Sequence, residues 1–136
     1  MTRSEYDLHW RRVSAALAAL LQRTNDDCFV ILKEQQTGKF VQFATGHSGL
    51  LLDLPAVALD KNEWGRAEHY FLDEHGVTPY TSEQYSDAAM TISTGLWMTI
   101  YMELRQDVRK ATRIALDVFD QVYLLPLDFQ LMIEEN

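Results

Sequence analysis

The sequence predicts an α+β domain, a twisted antiparallel sheet of about five strands with three helices in the order α-β-β-β-α-β-β-α. Three observations carry this. An amphipathic stripe with helical spacing opens the chain. Apolar, strand-forming runs separated by short glycine turns follow it. Two acidic cap residues, Asp60 and Asp107, then mark further helices.

The first helix is expected over 4–22. Tyr6, Trp10, Val13, Leu17 and Leu20 recur three or four residues apart and share one stripe, and Ser4 with Asp7 resembles a capping box built with the shorter acid. "TNDD", 24–27, stops it. "CFVILKEQ" (28–35) and "KFVQFAT" (39–45) flank "QTG", a tight hairpin whose glycine is placed for a positive φ. "LLLDLP" (50–55) follows the "GHSG" turn and completes a three-strand meander. Phe40, Val41, Phe43 and Ala44, then Leu50, Leu51, Leu52 and Leu54, supply more apolar surface than one buried face requires. The second face of this sheet therefore needs a cover.

A second helix is expected from Asp60 to a stop at Gly76, with Glu63 completing a cap and Trp64, Ala67 and Phe71 on one face. "VTPYTSEQYS" reads as a loop. Across 87–106, Met90 and Ile92, then Trp97, Thr99, Tyr101 and Glu103, alternate about a Thr-Gly turn and suggest a hairpin. One helix through Gly95 is the alternative, which the β-branched Thr91, Ile92, Thr94, Thr99 and Ile100 disfavour. The last helix spans about 107–122, capped by Asp107, and an apolar tail broken by Pro126 follows. The whole, 1–136, reads as one domain, with a core over about 4–123 and the tail over 124–136.

The 136 residues carry a formal charge of −8, and no Lys or Arg follows Arg113. Such a chain is repelled by nucleic acid and by anionic membranes, so neither is an expected partner. Cys28 is the only cysteine, which excludes an internal disulfide and a cysteine metal cluster. No apolar run approaches a membrane span, and "MTRSEYDLHW" lacks the apolar core of a signal peptide, so a cytoplasmic location is expected.

Residues able to do chemistry are sparse. His69 and Asp73 are spaced to share a helix face, His75 points elsewhere, and no metal motif such as HExxH is present. Cys28, after Asp26 and Asp27, reads as a buried structural thiol, since carboxylates raise a thiol pKa. Ser48 lies in a strand-to-strand turn and lacks the glycine spacing of a nucleophile elbow. No glycine pattern cradles phosphate. No catalytic residue, cofactor or metal is expected.

The stretch "CFVILKEQQTGKFVQFATGHSGLLLDL", "LDEHGVTPY" at the end of the second helix and the terminal "ATRIALDVFDQVY" helix resemble the type III secretion chaperone-like superfamily, of the Tir-chaperone or TY-Chap type. The pattern departs from that family at Gly76-Val77, where many relatives place an aromatic, and in the tail. The resemblance implies a non-enzymatic module that pairs as a homodimer and offers apolar sheet and helix surface to a protein partner. Such a module predicts an exposed apolar groove and no buried polar cluster. Candidate interface residues are Phe43, Leu51, Trp97, Met98, Tyr101, Met102, Leu127 and Phe129, with Trp97 and the tail also open to a core reading. The alternative is an acidic immunity or regulatory protein that inhibits a toxin or enzyme by charge. An enzyme of unrecognised type would need a concave pocket of perturbed titratable groups.

Overall fold

The structure, a computed structural model, describes residues 3–23, 28–46, 49–81, 98–126 and 128–136. Helix α1 (Arg3–Leu21) leads into the antiparallel meander β1 (Phe29–Glu34), β2 (Phe40–Gly46) and β3 (Gly49–Pro55). A 3-10 turn (Ala56–Ala58) precedes α2 (Lys61–His75), and the two-residue strand β4 (Tyr80–Thr81) follows it. Strand β5 (Met98–Arg105), helix α3 (Val108–Asp117), a π-helical turn (Val118–Val122) and β6 (Leu131–Glu135) complete the chain. The strands form one antiparallel sheet in the order β4-β5-β3-β2-β1-β6. Among the described residues the fold is α+β, with an open sheet and three helices.

Local chemistry explains most of the boundaries. Asp60 Oδ1 accepts from Glu63 N at 2.8 Å while Asp60 N donates to Glu63 Oε1 at 2.9 Å, a reciprocal capping box that starts α2. Gly76, at φ +65°, ends it, with Val77 N returning to the Phe71 carbonyl at 3.0 Å. Asp107 caps α3 through Lys110 N at 3.0 Å. The β1–β2 turn places Gly38 at φ +74°, and the buried Glu34 carboxylate closes that turn by accepting from Gln36 N, Thr37 N and the Thr37 hydroxyl, each at 2.8 Å.

Three expectations are corrected. Helix α1 begins at Arg3, which puts Ser4 inside its first turn and not at its cap. The last helix leaves α geometry after Asp117. Val118–Val122 form a wider turn, closed by Tyr123 N to the Val118 carbonyl at 3.0 Å. The tail is not an extension beyond the folded core, because Leu131–Glu135 pair with β1 as a sixth strand. Of the hairpin expected over 87–106, only the place of its second limb is described, and it holds the strand β5. The first limb lies outside the described residues.

One face of the sheet holds the core. Val30, Leu32, Val41, Phe43, Leu50, Leu52, Leu54 and Ile100 point to the helices and join Val13, Leu17, Leu20, Phe71, Ile114 and Phe119 in a single cluster. Each such large side chain contributes about 1.5–3 kcal/mol on burial. Helix α1 lies over β1, β2, β3 and β6, and α3 lies beside it over β3 and β5. Ser14 and Thr112 join the two helices through their hydroxyls at 3.2 Å. Lys39 pairs with the buried Glu63 and lies 5.5 Å from the centroid of the Tyr123 ring, tying the hairpin to α2 and to the turn after α3. Cys28 is a free, buried thiol. Among the described residues no helix is long and apolar enough to cross a membrane.

Candidate protein-binding face

The register fixes what stands on the other face of the sheet. Pairing of β1, β2 and β3 sets Phe29 opposite Ala44 and Ala44 opposite Leu51, and β5 adds Glu103. This row is apolar until its last member. The neighbouring row runs Tyr101, Asp53, Gln42, Ile31, Glu134 across five strands. Beyond it lie Phe40, Lys33 and Met132. Alternation along each strand makes this face the complement of the core face.

Phe29, Ile31, Phe40, Leu51 and Tyr101 are half-exposed and lie outside the core cluster. Polar groups between them are held in place. Gln42 Nε2 donates to Asp53 Oδ2 at 3.2 Å, and the buried Thr99 hydroxyl donates to the other Asp53 oxygen. Lys33 Nζ meets Glu134 Oε1 at 2.9 Å, and Tyr80 stands edge-on to Tyr101 with ring centroids 5.9 Å apart. Among the described residues no helix covers these rows, so the cover that the surplus of apolar residues requires is not supplied by α1, α2 or α3. Chemically, the face offers apolar rows for burial and a fixed Asp53–Gln42 pair for directional hydrogen bonds.

The candidate interface residues divide sharply. Leu51 and Tyr101 stand on this face. Met98 opens β5, half-exposed, in register with the core side. Phe43 is 0 % exposed and points to the helices, because it shares parity with Val41. Met102 is buried against Leu52 on the core side for the same reason. Phe129 is buried too, its ring stacked on His9 with centroids 4.5 Å apart and tilted against Phe119 at 4.8 Å. Phe43, Met102 and Phe129 are therefore core and not interface. Trp97 and Leu127 lie outside the described residues. Trp10 and Trp64 are half-buried and pack on the core.

One grouping was invisible in the sequence. The Tyr70 hydroxyl donates to Asp117 Oδ2 at 2.7 Å, and His75 Nε2 lies 3.1 Å from the same hydroxyl. Such a part-buried polar cluster departs from the simplest binding-module expectation. Its chemistry is that of a clamp. Burial first, and then Asp117, push the Tyr70 hydroxyl far above its ordinary value, so it stays a fixed donor. Burial, with Lys110 next, holds the His75 imidazole below 6.5. The cluster joins the ends of α2 and α3. His69 and Asp73 do share a face, at 2.9 Å, but both are exposed, and they line an open groove of about 670 Å³ along α2 with Lys61, Arg66 and Glu74. Among the described residues no group of three His, Cys, Asp or Glu side chains is placed to hold a metal ion. Ser48 and His47 lie outside the described residues.

No family model, curated protein or solved structure matches the chain.

Proposed function

We propose that the chain is a non-enzymatic, cytoplasmic protein-binding module. It takes a protein partner on the outer face of its sheet and acts as a homodimer, as the resemblance to type III secretion chaperone-like domains implies. The observation that carries this reading is the placement of Phe29, Ile31, Phe40, Leu51 and Tyr101. They are half-exposed in rows on a face that no described helix covers. Apolar rows framing fixed polar groups are the make-up of a protein interface.

The test compares wild type with Leu51→Asp by sedimentation across a concentration series and by affinity capture from native extract. Wild type should sediment as a dimer and retain one dominant protein at high salt, while the variant keeps its fold and loses either or both. A variant that dimerises and captures like wild type would sink the reading. Asp53, Glu103 and Glu134 on the same face favour a second reading, the acidic inhibitor of a toxin or enzyme. That reading requires the captured protein to be lost at high salt.

A further inference from the structure

The charge on helices α1 and α3 runs against the rest of the chain. Helices α1 and α3 hold half of the chain's 12 Lys and Arg residues but only Glu5, Asp7 and Asp117 among its 20 acids. Between them lies an open groove of about 440 Å³ lined by Tyr6 and Trp10, by Arg109, Lys110 and Arg113, and by Asp107 and Asp117. The two rings are half-exposed, with centroids 6.1 Å apart. Arg109, Lys110 and Arg113 make no ion pair with any described residue.

Helix stability does not account for this placement. A helix favours acids in its first turn and cations in its last, because its N-terminus is the positive end of the peptide dipoles. Helix α3 is inverted. Arg109 and Lys110 occupy the first turn, no acid stands there, and no cation stands in the last turn. Cations held where the helix disfavours them, beside an aromatic wall on an acidic protein, have a use outside the helix.

We propose that this groove binds an extended acidic peptide segment of a partner protein. Carboxylates of the segment would lie on Arg109, Lys110 and Arg113, and an apolar side chain would lie on Trp10. A compact polyanion such as a nucleotide triphosphate fits the geometry less well. Asp107 already occupies the amide end of α3, accepting from Lys110 N at 3.0 Å, and so stands where a phosphate would seat. Asp117 lines the groove as well. Both acids repel a concentrated negative charge more than single carboxylates spaced along a chain. The proposal does not depend on the sheet's outer face.

The probe is a capped peptide of alternating Glu and Phe, with a Lys-and-Phe peptide and ATP as comparisons. The readout is the Trp10 indole N–H and the amides of 109–113 in proton–nitrogen correlation spectra of the whole chain. The Glu-and-Phe peptide should move these signals, and its binding should weaken several-fold as salt rises from roughly 0.05 to 0.5 M. Arg109→Glu with Arg113→Glu should weaken it about tenfold or more. Arg109→Gln with Arg113→Gln serves if the reversed charges disturb the fold. No movement with the acidic peptide, equal movement with the basic one, stronger binding of ATP, or a folded double variant that binds like wild type would each overturn the proposal.

Discussion

Glu34 shows how much one side chain can fix. Burial alone would raise its pKa, but the amides of Gln36 and Thr37 and the Thr37 hydroxyl outweigh burial and hold the carboxyl below its ordinary 4.5. A group lowered on folding adds stability above its unfolded pKa and loses it as pH falls through the folded value. Glu34→Gln should therefore cost about 1–2 kcal/mol at neutral pH by urea denaturation. The gap to wild type should close as pH drops below 4.5. Gly49 is equally constrained. It sits at φ +117°, and a Cβ there would stand 2.2 Å from the Arg105 carbonyl oxygen, where β3 and β5 shift register. Gly49→Ala should lower stability by at least about 1–3 kcal/mol, read as a fall in denaturation midpoint. The glycines at 38 and 76 were legible because turn and cap chemistry is local. The demand on Gly49 comes from a strand far along the chain, and no local signal announces it.

At the scale of elements, α3 carries the clearest expectation. Lys110→Glu puts an acid in the first turn and should raise Tm slightly, by the roughly 0.3–1 kcal/mol that a surface charge gains from the helix dipole. A fall in Tm would mean that Lys110 is held by a contact within the fold. Local signals located most elements to within a residue or two, since caps at Asp60 and Asp107 and the alternation of β1, β2, β3 and β5 are written nearby. Three elements escaped, among them the two-residue strand β4, which lies in a stretch that reads as a loop. Val118, Phe119 and Val122 continue the apolar pattern of α3, so the change to a π turn leaves no mark in periodicity. The strand Leu131–Glu135 is five residues long, and its pairing with β1 gives it order that its own sequence does not.

At the scale of the molecule, the sequence announced that the sheet had two apolar faces but not which residue belonged to which. Phe40 and Phe43 look alike in "KFVQFA", and only the direction of the helices makes Phe43 core and Phe40 surface. The Tyr70–Asp117–His75 clamp needed two distant stretches, the end of α2 and the end of α3, to meet. If the outer face is an interface, substitutions on it should leave the isolated fold intact. Leu51→Asp should thus keep the native secondary structure by circular dichroism while changing association, and any fall in Tm should shrink as wild type is diluted toward monomer. The sheet's outermost pairing also governs the order of folding. Lys33 and Glu134 are 101 residues apart in the chain, whereas the meander closes through tight turns. The meander can form early, but the free edge of "FVILKE" stays open until β6 returns to it. During that interval β1 is a bare, largely apolar template for another chain, and the charges at its end, Lys33 and Glu34, are what resist such pairing. The same strand that completes the sheet thus sets how long each newly unfolded or newly made molecule stays vulnerable to aggregation.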